Sequence, residues 1–516
     1  MYQNRRSTYT GFILLFVALR VILNLFAISH FGFQRDELLH LAIGDHLAWG
    51  YKEVPPFIAV IGRINTSILG GSVFATRIFS TIAAGLIIWL TGLITVELGG
   101  RKFAITLACL ALICSPAFLA TGYLFQPVVF DQLWWVLAVY LAIKYINTSS
   151  IKYLYLIGAV TGIGLLTKYT MGFFTLALVI GLLLTKQRRV FTNKHFWFAM
   201  LVALVIFLPN IFWQFNHHLP VFTHMGQLQQ SQLQYNKPGD FIIQQLLVNG
   251  IAVILWVTGF FFLLFAFKLR KYQFLAFAYI AIFLFLLEMN GKSYYIFGAY
   301  PMLFAAGAYG FERWIKNIAI RTVVILVFTL PSIRIIPIVL PVLPLNTTLA
   351  YFEHINQKYP SLHFFSTWED HKLHRTSQDY GDMFGWDEIT RKVDSVYKTL
   401  TPDQQRRTII FADNYGEAGA IHHYGRQYNL PDVISLGSSF ALWAPPSIAN
   451  AEFIIYVDDD DNVNKRVGAL AAGYKKTGQV DNPLAVEHGT GIYLISHPAP
   501  KFNLLYQQTL AQRLSE

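Results

Sequence analysis

Phe31–Arg63 reads FGFQRDELLHLAIGDHLAWGYKEVPPFIAVIGR, and it follows the first long apolar run of the chain. It places Asp36, Glu37, Asp45 and Glu53 close to the point where that run must leave a membrane. Polar loops end membrane helices routinely, but the order of features here suggests more. Asp36 and Glu37 stand at the first turn after the span. The spacing then predicts an amphipathic helix with Glu37, His40 and Gly44 on one face and Leu38, Leu41 and Ala42 on the other. Such a helix would lie along the bilayer surface with its apolar side down. Pro55 and Pro56 then fix the return of the chain toward the membrane. The expected result is a carboxylate cluster at the boundary of water and lipid.

Working outward, the 516 residues are 54% hydrophobic and only 13% charged. Soluble proteins carry about 25% charged residues, so the composition indicates a polytopic membrane protein with a less apolar part attached. The net charge of +11 does not imply nucleic acid, because the Lys and Arg residues fall between apolar runs rather than on one basic face. Cys109 and Cys114 lie in a single apolar run and imply no disulfide framework. Arg5 and Arg6 precede an apolar stretch that no small-residue cleavage site follows, which reads as an uncleaved first span.

A hydrocarbon core about 30 Å thick requires about 20 apolar residues per helix. On that rule spans are expected near 10–30, 73–97, 103–123, 128–146, 153–167, 171–185, 196–213, 246–267, 272–289, 299–315 and 321–343, about eleven in all. Basic residues occupy alternate loops, which face the cytoplasm by the positive-inside rule. The Asp36 stretch and the C-terminal region are then outside, and Asp131, Lys168, His224 and Lys292 fall at outward-facing ends or loops. The Gln- and His-rich segment 214–245 is the longest stretch between spans and is expected to be a partly ordered lid. After Pro344 the composition becomes mixed. RTIIFAD, DVISL, AEFIIYVD and GIYLISH read as strands, and DEITRKVDSVYKTL and GEAGAIHHYGRQY as helices. The expected division is a membrane domain over 1–344, with an external loop 31–72, and a soluble α/β domain over 345–516. The chain shows no internal repeat, Walker loop or dinucleotide fingerprint.

The block RDELLHLAIGDHLAWGYKEVPPFIAVIGR resembles the first periplasmic loop of bacterial polyprenyl-phosphate-dependent glycosyltransferases of the GT-C superfamily, which includes protein O-mannosyltransferases and the lipid A aminoarabinose transferase. The resemblance continues in FQPVVFDQLWW, LLTKYTMGFF, GKSYYIFGAYPMLFAAGA, DMFGWDEI and NYGEAGAIHHYG, and so covers most of the chain. It implies the GT-C fold in a bacterial inner membrane, with the active site and C-terminal domain in the periplasm. It further implies inverting transfer from a polyprenyl-phosphate sugar donor to a lipid, glycan or protein acceptor.

By the resemblance Asp36 matches the family's catalytic acid and is the expected base, with Glu37 as a second acid that orients the acceptor or bonds within the loop. Glu53 matches the acid before the Pro-Pro pair. The aminoarabinose transferase follows that acid with a lysine that contacts the donor phosphate, whereas Val54 stands here. The phosphate partner must then come from Arg63, Lys168 or Lys292, with Tyr294 and Tyr295 beside the last. Lys168 and Lys292 break the positive-inside pattern, and ionisable groups at membrane depth usually serve a site because their desolvation is costly; snorkelling at a helix end is the bland alternative. Asp131, one turn after Pro127, suits either the site cavity or the helix dipole. Glu53 and His224 form a candidate pair for a divalent cation, too few alone to define a metal site, with Asn216, His217 and His218 nearby in sequence. His422 and His423 read as surface or core residues. The run Asp458–Asp461 reads as a solvated acidic loop without EF-hand spacing. A lipid or ion transporter also suits many spans with sparse charges, but it would carry midplane charges and often an inverted repeat.

Overall fold

The computed structural model describes residues 2–459 and 470–516, with side chains from Tyr9 onward. Asp460 and Asp461 of the acidic run lie outside the described residues. The chain divides into two compact units. The first comprises Met1–Ile28, Thr76–Phe212 and Met225–Val342, and the second Ser29–Ala75, Trp213–His224 and Leu343–Glu516.

The first unit is helical. Each of the eleven apolar runs holds helix, but among the described residues only six helices have the length and composition to cross a membrane, or seven if the bent pair Thr170–Leu183 and Lys186–Thr192 is one span. The eleven-span count is corrected accordingly. A hydropathy window registers apolar composition and not breaks in the helix. Lys102–Cys114, Lys152–Leu165 and Phe274–Glu288 remain apolar but short. The first of them stops because Pro116 restricts Ser115 to an extended conformation, and a separate helix Pro116–Thr121 follows. Within this unit Val253–Phe265 packs on Tyr300–Trp314 at very close range. A Cβ on Gly259 would stand 1.9 Å from Leu303 O, and one on Gly307 2.1 Å from Leu255 O, so only glycine permits this crossing.

The expected long loop at 214–245 is a second correction. Helices Pro220–Ser231 and Pro238–Asn249 occupy most of it. Each begins at a proline, which is favoured at the first helical position because its missing N–H would have no intrahelical partner there.

The second unit contains a five-stranded sheet of β1 (Thr408–Ala412), β2 (Val433–Ile434), β3 (Phe453–Asp458), β4 (Ala471–Gln479) and β5 (Gly491–Pro498), in the order β2-β1-β3-β5-β4. β1 is parallel to both β2 and β3, while β5 is antiparallel to β3 and β4. β3 is buried along its whole length, as a central strand should be, and reads as a continuous apolar run in FIIYV. Helix Pro500–Ser515 packs Tyr506 and Leu510 into one side of the sheet with Ile434, Leu436 and Ile448.

The same unit holds the opening stretch. Arg35–Asp45 is helical as expected, but it is not half-solvated. Glu37 and Leu38 are both 0% exposed, and the remainder through Gly44 is buried on both faces. It lies between helices Phe57–Ile64 and Tyr415–Tyr424, which take the place of the water and lipid inferred from the sequence.

Candidate functional site

Helix Arg35–Asp45 starts with a reciprocal cap. Gln34 Oε1 accepts from Asp36 N at 2.9 Å, and Glu37 Oε2 accepts from Gln34 N at 2.9 Å. Glu37 therefore fixes the helix start, the task of the third residue in a capping box. That start fixes the position of Asp36, a partly accessible carboxylate in the first turn, where the helix dipole favours negative charge.

Two distant segments converge on Asp36 within this unit. Tyr415 donates its hydroxyl to Asp36 Oδ1 at 2.9 Å. Tyr415 opens helix Tyr415–Tyr424, and Gly416 and Gly419 let that helix come close. A Cβ on Gly419 would meet Leu38 Cβ at 2.9 Å, and one on Gly416 would meet Arg35 Cγ at 2.8 Å. The Arg35 guanidinium lies 5.7 Å from the centre of the Tyr415 ring. Burial works against its charge, but Tyr415, Asp382, Asp36 and Glu487 around it raise its pKa above the ordinary value. The second segment brings Asp382, which is 4% exposed and has no hydrogen-bond partner for Oδ1. Burial pushes the Asp382 carboxyl up to about 7 against the pull of Arg35, with Asp379, Asp36 and Glu487 adding to the rise. Burial and the nearby Asp36 charge likewise raise the Tyr415 phenol above its ordinary value. The arrangement is a carboxylate fixed by a neutral phenol, with a permanent cation beside it.

Further along the same helix, Asp45 gathers three partners. His422 Nε2 lies 3.0 Å from Asp45 Oδ2, Arg426 bonds the same oxygen, and Arg63 Nη1 lies 3.1 Å from Oδ1. Burial alone would raise the Asp45 carboxyl, but the His422 and Arg426 hydrogen bonds and charges hold it well below the usual range. His422, read from sequence as a surface or core residue, is thus part of an ion cluster in which Asp45 and His422 are mostly covered while Arg63 and Arg426 reach solvent. His423 instead packs edge-on against Phe33 at 4.8 Å, and burial pushes its pKa down to about 4. Glu53 accepts a hydrogen bond from Ser439 Oγ, which also accepts from Lys52 N at 3.1 Å. Among the described residues, the one group of three or more His, Cys, Asp or Glu side chains within ligating distance of one another does not include Glu53 or His224.

The first unit brings together the other expected residues. Asp131 lies inside helix Pro127–Thr148, where Oδ1 accepts from Trp135 Nε1 at 3.0 Å and Oδ2 from Thr170 Oγ1 at 2.7 Å. It ties two helices together rather than capping one. Lys168, in the connection before Thr170, sets its ammonium 4.7 Å from the Tyr294 ring centre and 4.8 Å from that of Tyr295, within cation–π range. Asp131 and Lys292 are the charged groups that act on it electrostatically. Lys292, Tyr294 and Tyr295 sit at the start of the short helix Ser293–Ala299.

Tyr415, Asp382 and His422 were not identified from sequence as site residues. They do lie in DMFGWDEI and NYGEAGAIHHYG, the downstream motifs that carried the resemblance.

A family model described as dolichyl-phosphate-mannose-protein mannosyltransferase matches residues 53–213, a range that starts at Glu53 and leaves Asp36 outside. The chain is similar to the crystal structure of ArnT from Cupriavidus metallidurans bound to undecaprenyl phosphate, with 13% identity and a TM-score of 0.61 over 94% of this chain and 98% of that one. It is also similar to the Archaeoglobus fulgidus oligosaccharyltransferase in complex with Zn and sulfate, with 13% identity and a TM-score of 0.50 over 88% of this chain and 68% of that one. None of the curated proteins matches it in sequence. At these identities the likeness defines the fold. The chain has the GT-C fold with a small C-terminal sheet domain, and the resemblance read from its sequence is borne out.

Proposed function

We propose that this protein is an inverting glycosyltransferase. It moves a sugar from a polyprenyl-phosphate donor to a hydroxyl of a lipid, glycan or protein acceptor on the periplasmic face of a bacterial inner membrane. The observation that carries the reading is the fixed, partly accessible carboxylate of Asp36, held by Tyr415 in a chain with the GT-C fold. In the reaction the acceptor oxygen attacks the anomeric carbon and the bond from that carbon to the phosphate oxygen breaks. Polyprenyl phosphate departs with the electron pair, and the acceptor proton passes to Asp36. Tyr415 keeps the carboxylate in one orientation, and Glu37 fixes the helix that carries it. The departing phosphate requires cations, and Lys168 and Lys292 are our assignment. Tyr294 and Tyr295 hold the Lys168 ammonium in place without neutralising it. Arg63, ion-paired to Asp45, braces its own unit instead.

General-base catalysis contributes about 100- to 10,000-fold, so Asp36→Asn should lower turnover by that factor with folding intact. The test is sugar transfer by the purified, lipid-reconstituted protein with a panel of polyprenyl-phosphate sugars and an envelope extract as acceptor. Near-normal turnover in the variant would remove Asp36 as base. Absence of transfer from every donor, together with measurable lipid or ion movement, would replace the enzyme reading with a transporter.

A further inference from the structure

The second unit holds a cavity of about 330 Å³ that shares no lining residue with the Asp36 constellation. Small-molecule sites occupy about 300–1,000 Å³, so this one has room for a single sugar-sized ring. Its walls come from three stretches of that unit: the loop after helix Arg35–Asp45, the segment from Trp213 to His217, and Leu442 with Trp443. The Tyr51 hydroxyl accepts from Ala48 N at 2.9 Å and is directed at the carbonyls of Ile43 and His46, 3.0 and 2.9 Å away, which curls the loop around a buried phenol. A Cβ on Gly50 would stand 2.3 Å from Trp213 Cε3, so only glycine lets the loop lie against that indole. Trp443 follows the short helix Ser438–Leu442, whose Ser439 bonds both Glu53 and Lys52 N. The fold's own bonds therefore shape the cavity.

The chemistry of the walls selects a ligand. His217 stacks on Trp213 with ring centres 4.1 Å apart, and His46 stacks on Trp443 at 4.3 Å. His217 Nδ1 lies 2.8 Å from Trp213 O, and a carbonyl can only accept, so Nδ1 donates and Nε2 is the acceptor of the neutral ring. Partial burial, reinforced by the charges of His422 and Arg426, lowers the His46 pKa, so that ring also offers one donor and one acceptor at pH 7. Among the described residues no Lys, Arg, Asp or Glu lines the cavity, so a charged ligand would gain no ionic partner. A hydrocarbon chain would cut the imidazole nitrogens off from water without replacing its hydrogen bonds. An uncharged pyranose meets both demands. Its C–H face carries slight positive charge and suits the negative face of an aromatic ring, and its hydroxyls both donate and accept.

We propose that this cavity is a subsite for an uncharged sugar ring of the acceptor, which makes the acceptor a glycan rather than a peptide. Assigning the ring to an acceptor rests on the transfer reaction proposed above, whereas the binding itself does not.

The test is saturation-transfer NMR on the full-length protein, held in an amine-oxide detergent because the head group of a maltoside would compete. The probes are the methyl glycosides of glucose, galactose and mannose, with cyclohexylmethanol as a ring without the sugar hydroxyls. At least one glycoside should bind saturably with Kd on the order of 1 mM, ordinary for a ligand of this size, and cyclohexylmethanol should bind at least about tenfold more weakly. Trp443→Ala, and His46→Ala at a position that reaches solvent, should each weaken glycoside binding at least about tenfold, while Trp443→Phe retains most of it. Trp314→Ala, in the first unit, should leave it unchanged. Lack of saturable binding by all three glycosides, equal binding of cyclohexylmethanol, or unaltered binding in both cavity variants would overturn the proposal. In the transfer assay the bound glycoside should raise the apparent KM for acceptor and not for donor, and the reverse would overturn the acceptor assignment. Absence of turnover with every donor, alongside intact glycoside binding, would instead count against the transfer reaction and leave the sugar site standing.

Discussion

Tyr415→Phe removes one hydrogen bond that holds the orientation of Asp36. The substitution removes the hydroxyl that donates to Asp36 Oδ1 at 2.9 Å and keeps the ring that faces Arg35 at 5.7 Å. A hydrogen bond to a charged partner contributes about 1.5–3 kcal/mol, and water reaching the partly accessible carboxylate recovers a share of that. A net loss of about 1–2 kcal/mol corresponds to roughly a 5- to 30-fold fall in rate. The reciprocal cap of Asn414 and Glu417 that starts helix Tyr415–Tyr424 is untouched, so the thermal midpoint should stay close to that of wild type. Sugar transfer by reconstituted protein, with donor and acceptor varied separately, should show the loss in kcat with little change in KM, because the base is misoriented while the binding groups remain. Tyr415→Ala should lose more, since it also strips the ring from Arg35. If Tyr415→Phe turns over at the wild-type rate while Asp36→Asn is inactive, Tyr415 does not position the base.

Asp382 gives a pH test. Its folded value of about 7 lies above the ordinary 3.8, so between those limits the folded state holds a proton that the unfolded state has released, and stability falls as pH rises. The contribution is on the order of 4 kcal/mol at most. Asp382→Asn should therefore flatten the decline in thermal midpoint between pH 5 and pH 8, and parallel wild-type and variant curves would refute it. Lys168→Met should lower kcat/KM for the donor roughly 10- to 100-fold, the effect of losing one charge-assisted contact to phosphate, with partial recovery in Lys168→Arg; unchanged donor kinetics would release Lys168 from that role. Gly259→Val places new atoms where Leu303 O already lies 1.9 Å from an added Cβ, beyond the about 1–3 kcal/mol of ordinary overpacking. Size-exclusion chromatography should show little monodisperse protein, and a normal yield with an unchanged melting midpoint would contradict the helix crossing.

The fold was legible where composition alone decides it. The apolar runs all became helix, and the runs read as strands became β1, β2, β3 and β5. β4 escaped because AAGYKKTGQ is an exposed edge strand with no apolar alternation to mark it. Helices Pro220–Ser231 and Pro238–Asn249 escaped because the Gln- and His-rich stretch that holds most of them lacks a long apolar run, although each opens at a proline, a residue favoured at the first helical position. The task of Glu37 could have been read from Gln34, three residues earlier, which is capping-box spacing. The partners of Asp36 could not. Tyr415 stands 379 residues away, and no local pattern encodes a contact across that separation. Only the glycines of NYGEAGAIHHYG hinted at it, since Gly416 and Gly419 have no use in an exposed helix but are needed where one helix presses against another. The carboxylate is therefore supplied by the first loop, while its orientation depends on the C-terminal part of the chain. Truncation after Pro344 should accordingly remove activity even if the remaining helices insert and Asp36 is unchanged.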